Sequence, residues 1–279
     1  MSSVLITGDR GYIGSKLKAY LKKKQLKVFT LKKKIDKNLL NIKKLPLANI
    51  VVHLAAKTNV PDSWEYKNDY IIENVSSTKY MLDYCVKNKS KMIFISSYLY
   101  GNTKKIPTNE KSTLKTLNPY SLSKKICEDM CYFYEKNYHL DLIIIRPFNI
   151  YGPGQNNLWF ISNIINQIKN KKEITLMSQS QKRDYVYIDD FSDLIYTLIK
   201  KNIKKGTFNL GSGKSYTLKS VVSIIQKISK SKKNIINKNI YRKNDIKETK
   251  ADIRKLYLKL GWKPKWTLIK GITKIIKNK

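Results

Sequence analysis

Acid is scarce in this chain. Against 56 Lys and Arg stand only 20 Asp and Glu, a formal net charge of +36 over 279 residues. Such an excess points first to a polyanion partner, either nucleic acid or an acidic membrane. The lysines, however, are spread over helix faces, loops and the C-terminus, and no nucleic-acid-binding motif is visible. A chain-wide bias toward Lys, Ile and Asn accounts for the charge. No specific nucleic-acid partner is expected, only a salt-sensitive, sequence-blind affinity for polyanions. Cysteine is scarce too. Cys85, Cys127 and Cys131 give no disulfide framework, and with two histidines there is no zinc-ligand array. No metal is expected, and a reducing cytoplasm is the expected home. No apolar run approaches the ~18 residues of a membrane span. The opening Met1–Ile6 lacks a basic leader, so no signal peptide is expected. Hydrophobic content of 42% is ordinary for a soluble globular chain.

What the sequence does contain centres on Asn118-Pro119-Tyr120-Ser121-Leu122-Ser123-Lys124. As the start of a helix it puts Tyr120 and Lys124 one turn apart on one face. A phenol there can exchange a proton with an alcohol or ketone, and an ammonium can hold its pKa near working pH. A free Tyr titrates near ~10. A unit charge about 4 Å away, at an effective dielectric of ~20, is worth at most ~4 kcal/mol, or roughly three pH units. The same spacing recurs at Tyr12/Lys16, Tyr20/Lys24, Tyr100/Lys104 and Tyr132/Lys136. Those copies read as solvated helix faces. The order of neighbouring signals sets Tyr120 and Lys124 apart.

The first of those signals is a strand, Ser3–Thr7, followed at once by Gly8-x-x-Gly11-x-x-Gly14 and an amphipathic helix with Ile13, Leu17, Tyr20 and Leu21 on one face. A strand, a glycine turn and a helix form a dinucleotide cradle. The glycines let the backbone approach a pyrophosphate, and the helix N-terminus attracts its charge. Leu26–Leu31 reads as the second strand. Where an acid for a ribose hydroxyl would stand, the chain has Lys32, Lys33 and Lys34, and Arg10 sits in the turn. Basic groups there suit a 2′-phosphate and favour NADP(H) modestly. Buried strands are expected at Ile50–Ala56, Lys91–Ser97 and Asp141–Arg146, alternating with helices around Tyr70–Cys85 and Tyr120–Tyr138. His53 is expected to be a packing residue. This alternation predicts an α/β fold with a doubly wound parallel, Rossmann-type sheet. Past Gly152 the elements shorten, with helices expected at 158–168, 190–200, 218–228 and 268–276. We expect an NAD(P)-binding domain at 1–152 and a smaller C-terminal α/β substrate domain at 153–279, with the Lys/Asn/Ile-rich stretch 229–240 as a mobile surface loop.

Taken in order, these residues resemble the extended short-chain dehydrogenase/reductases, specifically the NAD(P)-dependent nucleotide-sugar epimerase/dehydratase family. Thr7-Gly8-x-x-Gly11-x-x-Gly14 is similar to its cofactor turn, and His53-Leu54-Ala55-Ala56 to its next cofactor contact. Asn74 resembles the asparagine of its following helix. Ser96 stands four residues before Tyr100-Gly101, as the family's catalytic Ser/Thr does, and Tyr120/Lys124 matches its Tyr-x-x-x-Lys. Arg146-Pro147-Phe148-Asn149 resembles its nicotinamide and substrate segment. Arg183 and Arg242-x-x-Asp245 resemble its diphosphate-binding groups, and Gly261-Trp262-x-Pro264 its C-terminal signature.

The resemblance implies Tyr120 as general acid/base, Lys124 as its partner and a ribose ligand, and Ser96 as the donor to the reacting sugar oxygen. It implies cofactor contacts from Gly8, Arg10, Gly11, Tyr12, Ile13, Gly14, Lys32, Leu54, Ala55, Ala56, Asn74 and Pro147. Asn149, Arg183, Arg242 and Asp245 would bind a nucleotide-diphosphate sugar, and the protein would be a homodimer working in polysaccharide precursor synthesis. Dehydratases of the family carry Asp-Glu directly after the Ser/Thr, where this chain has Ser97-Tyr98. A UDP-hexose 4-epimerase-type enzyme is the first expectation, and an NADPH-dependent 4-keto-6-deoxysugar reductase the second. A dinucleotide- or polyanion-binding protein without turnover is the minor third; the intact Ser96/Tyr120/Lys124 set argues against it.

Overall fold

A computed structural model describes residues 3–31, 45–241 and 244–277. The chain opens with β1 (Ser3–Thr7), α1 (Tyr12–Lys23), β2 (Lys27–Thr30) and β3 (Ile50–His53). It continues through α2 (Val60–Glu65), α3 (Lys67–Lys87), β4 (Lys91–Ile95), α4 (Pro119–Asn137) and β5 (Leu142–Pro147). Next come β6 (Asn149–Tyr151), α5 (Phe160–Asn170), β7 (Ile174–Leu176), β8 (Lys182–Tyr187) and α6 (Ile188–Lys200). The last elements are β9 (Gly206–Leu210), β10 (Ser215–Thr217), α7 (Leu218–Ser229), β11 (Ile235–Asn237), α8 (Arg254–Leu260) and α9 (Leu268–Lys277).

The main sheet, in the order β2-β1-β3-β4-β5-β9, is parallel throughout the described residues. Its strands read as unbroken apolar runs because both faces are covered. Alternate residues divide between two cores. Val4, Ile6, Val52, Ile93 and Ile145 face the side of α1 and α6. Leu5, Val51, Met92, Phe94 and Ile144 face the side of α3 and α4. The doubly wound sheet expected from the alternation is therefore present.

Three expectations need correction. Residues 54–56 and 96–97 are not strand; β3 and β4 stop at His53 and Ile95 and leave these residues as loops at the sheet's C-terminal edge. β9 lies beyond residue 152 and pairs with β5 in the main sheet. The apolar face of α6, packed beside α1, carries the chain back over the sheet. The stretch 229–240 is not simply a loop. Its Ile235–Asn237 forms β11, parallel to β7. A further small sheet, β10-β8-β6, also lies beyond 148. Lys32, Lys33, Lys34 and Arg242 lie outside the described residues.

Candidate active site

The strands deliver the candidate residues to one edge. Gly8 follows β1, Leu54 follows β3, Ser96 follows β4 and Pro147 ends β5. In open parallel sheets this carboxyl edge is where ligands bind.

The glycine turn is tight. Gly8 has φ +72°, and a Cβ there would lie 2.8 Å from the Ala55 nitrogen. A Cβ on Gly14 would lie 2.2 Å from the Gly8 carbonyl oxygen. Thr7 sets the distance between the turn and the next loop. Its hydroxyl accepts from the amides of Leu54 (3.2 Å) and Ala55 (3.1 Å). That leaves its proton for Nδ1 of His53, 2.7 Å away. Nε2 of His53 then donates to Thr78 Oγ1 (3.2 Å), whose own proton goes to the Asn74 carbonyl (2.8 Å). Burial, with the nearby Lys124 charge, pushes the His53 pKa down to about 3. A neutral, fully bonded His53 is the packing residue its sequence context implies.

Ser96 is 4% exposed, and its amide donates to the Ile145 carbonyl (2.8 Å). Its hydroxyl is buried and, among the described residues, has no hydrogen-bond partner. Such orphans are rare in a well-packed interior, and this one stands at the ligand edge.

α4 begins with a capping box. Asn118 Oδ1 accepts from the Ser121 amide (2.8 Å), and Ser121 Oγ accepts from the Asn118 amide (3.1 Å). With Pro119 in the first turn, the cap fixes where the helix starts and so where Tyr120 points. Lys124 is buried on the next turn. Its Nζ donates to the Ile95 carbonyl at 2.6 Å and lies 4.1 Å from the centre of the Phe94 ring. Burial lowers its pKa. The Tyr120 phenol is raised to about 12, by burial first, with the Ser97 side chain pulling the other way. The expected depression by Lys124, whose ammonium sits at Ile95 and Phe94, is absent. Tyr120 therefore carries its proton at neutral pH.

Asn74 is also committed. Its Nδ2 donates to Ser123 Oγ (2.8 Å) and to the Lys57 carbonyl (3.1 Å), and its Oδ1 accepts from the Lys57 amide (2.8 Å). It locks α3 to α4 and positions the site. Arg146 faces away into a buried ion pair with Glu128, Nη2 to Oε2 at 2.6 Å. Arg183 and Asp245, expected to share a diphosphate, are paired with each other at 2.8 Å. Arg183 Nη1 also donates to the Ile246 carbonyl (2.6 Å). Asn149 Nδ2 donates to the Asp184 carbonyl (2.9 Å). Arg10 is exposed, and Tyr12 and Ile13 are half-buried at the start of α1.

Sequence reasoning gave no role to Asp184. Buried in β8, it accepts from the amides of Ser212 (2.7 Å), Gly213 (3.0 Å) and Ala251 (2.9 Å). Its place beside Arg183 was the signal available.

A model of the NAD-dependent epimerase/dehydratase family matches residues 4–211. The chain belongs to the NAD-dependent epimerase/dehydratase family. A dTDP-D-glucose 4,6-dehydratase of Dictyostelium discoideum is 31% identical over 254 residues, 76% of this chain and 58% of the relative. An uncharacterised UDP-glucose epimerase of Bacillus subtilis (strain 168) is 28% identical over 303 residues, 97% of this chain and 95% of the relative. The solved structure of the UDP-glucuronic acid 4-epimerase from Bacillus cereus, in complex with UDP-glucuronic acid and NAD, superposes with a TM-score of 0.87 at 28% identity. It covers 99% of both chains. Among the described residues no helix is long and apolar enough to cross a membrane.

The family's dinucleotide fits the residues present. The N-terminus of α1 has neither a side-chain cap nor an acid in its first turn, so its amides are left for a phosphate. The Gly8 and Gly14 cradle leaves the backbone bare where that phosphate would rest. Gly14→Ala is expected to abolish cofactor binding, because its Cβ collides with backbone rather than with a movable side chain. Fluorescence titration with NAD⁺ and NADP⁺ checks this; unchanged affinity would mean that the turn is not the cradle.

Proposed function

We propose that this member of the epimerase/dehydratase family is a nucleotide-sugar epimerase of the UDP-hexose 4-epimerase type, acting at sugar C4. The observation that carries the reading is the Ser96, Tyr120 and Lys124 set at one sheet edge, with the Ser96 hydroxyl buried and without a partner among the described residues. The bound dinucleotide supplies the acceptor and donor of a hydride. Everything else falls to the chain. Ser96 donates a hydrogen bond to the sugar oxygen that gains and loses charge. Tyr120 moves the proton at that oxygen. Lys124 supplies the positive charge that the phenolate needs, once released from Ile95. Arg183, held by Asp245, offers its fork to the diphosphate, with Arg242 as a second candidate. Asn149 contributes to the sugar side of the same site. Ser97 and Tyr98 supply no carboxylate, which disfavours elimination of water.

A second reading is an NADPH-dependent reductase of a nucleotide 4-keto-6-deoxysugar. Two observations favour it. In the sequence, Arg10 stands in the glycine turn and Lys32 and Lys33 stand just after β2, where a basic residue suits a 2′-phosphate. The Tyr120 phenol, near 12, is better prepared to give a proton than to take one. The deciding experiment is to denature the purified protein and identify the released cofactor by mass. Tightly held NAD is the expected result for an epimerase, which returns its hydride each cycle. An empty protein that prefers NADPH to NADH overturns the epimerase in favour of the reductase.

The protein is proposed to act as a homodimer through α3 and α4, which carry exposed Ile72, Leu122 and Phe133. Sedimentation at micromolar concentration should give twice the mass of the 32.6 kDa chain; a single monomeric species refutes the dimer.

A further inference from the structure

The sheet has a cavity at the end away from Ser96. About 570 Å³ in volume, it is lined by residues at or just before the starts of β2, β3, β4 and β5, including Leu26, Asn49, Lys91 and Asp141. The five residues of β4 alone separate the level of Lys91 from that of Ser96 by about 17 Å.

Three helices end at its rim. α1, α3 and α6 each stop on a left-handed residue, Gln25 (φ +59°), Lys89 (φ +50°) and Asn202 (φ +47°). Helix C-termini are negative, each equivalent to about half a charge, and lysine is a natural counterweight. Here the counterweight overshoots. Lys24, Lys89, Lys91 and Lys200 line the cavity against one carboxylate, Asp141. Three helix ends offset roughly 1.5 charges of that excess, which leaves a surplus of about the same size. Among the described residues, none of these four lysines has an ion-pair partner within 4.0 Å.

Lys91 is the informative member. It is 7% exposed, and its Nζ donates to the Ile203 carbonyl at 3.2 Å. An ammonium has three donors, and among the described residues the Ile203 carbonyl takes one of them. Burial lowers its pKa, with Asp141 opposing. A buried charge so thinly compensated is costly unless an anion completes it. At the rim, Lys24 and Lys200 lie against the ring of Tyr196, at 5.4 and 5.9 Å from its centre, which limits where their charges sit.

We propose that this cavity is a second anion site, built for a phosphate-bearing small molecule such as a phosphomonoester or diphosphate. Lys91 anchors the anion, and Lys89 and Lys200 flank it. The site is independent of the sugar chemistry proposed above.

Inorganic pyrophosphate, titrated calorimetrically into the full-length protein at fixed ionic strength, is the probe. Two variants, Lys91→Met and the exposed pair Lys89→Ala/Lys200→Ala, are each expected to weaken one class of sites at least tenfold. Arg183→Gln, in the candidate active site, should leave that class unchanged. The exposed pair keeps the test readable if Lys91→Met fails to fold. Unchanged binding in the variants overturns the proposal. So does an equal loss in Lys219→Ala on the exposed face of α7, because the anion would then be answering total charge rather than this cavity.

Discussion

Tyr120→Phe is expected to bind dinucleotide as the wild type does and to lose turnover by about 10²–10⁴-fold, the range typical for a positioned acid or base. The substitution removes one atom. The ring keeps its edge-to-face contact with Tyr70, 6.4 Å between centres, and the capped start of α4 is untouched. Stability should therefore move little, and the loss should appear in kcat with KM nearly unchanged. The phenol near 12 makes the test directional. At neutral pH it holds a proton to give, so protonation of a sugar alkoxide is available at once. Taking a proton from an alcohol requires a charge that this arrangement has not yet brought to the phenol. Lys124 can bring it only by leaving the Ile95 carbonyl. Steady-state rates alongside a cofactor titration decide the matter. Near-normal turnover in the variant would remove Tyr120 from the chemistry.

Why some of this was legible in the sequence is a matter of range. The Gly8–Gly14 turn and the Tyr120/Lys124 pair are local patterns, and local patterns survive without knowledge of partners. The parallel strands were legible for a related reason. A strand buried on both faces must be apolar at every position, and Val4–Ile6 and Ile143–Ile145 are. What failed depended on distant residues. Ile235–Asn237 becomes a strand only because β7 offers an edge some sixty residues earlier. β9 joins the main sheet because β5 has a free side. Arg183 and Asp245 each read as a phosphate ligand, and nothing local says that they meet. The lysine of the Tyr-x-x-x-Lys motif has the right spacing, but its head is claimed by a carbonyl twenty-nine residues back.

Arg146→Met is expected to destabilise the fold by about 3–5 kcal/mol, the usual cost of leaving a buried charge without its partner. Glu128 is fully buried and receives Arg146 Nε at 3.0 Å and Nη2 at 2.6 Å. Burial works against the charge of Arg146, and the Glu128 carboxylate more than restores it. Arg146 Nη1 also donates to Tyr100 Oη (2.9 Å), which in turn donates to Asn209 Oδ1 (2.6 Å). One substitution thus unsettles α4, β5 and β9 together. A thermal midpoint lower by on the order of 10 °C should be observed by calorimetry. Arg146→Met with Glu128→Met should regain much of the loss, since a matched apolar pair removes both desolvated charges. Recovery should stay incomplete, because Tyr100 still lacks the donor it had. The pair also bears on chemistry. Tyr120, Lys124 and Glu128 are spaced by four along α4 and share its face. The Arg146 clamp on Glu128 therefore holds against β5 the same face that presents the phenol. The single variant should lose kcat beyond what its unfolded fraction explains, measured well below its melting midpoint. A destabilised enzyme with unaltered kcat would mean that the capping box at Asn118 alone suffices to aim Tyr120.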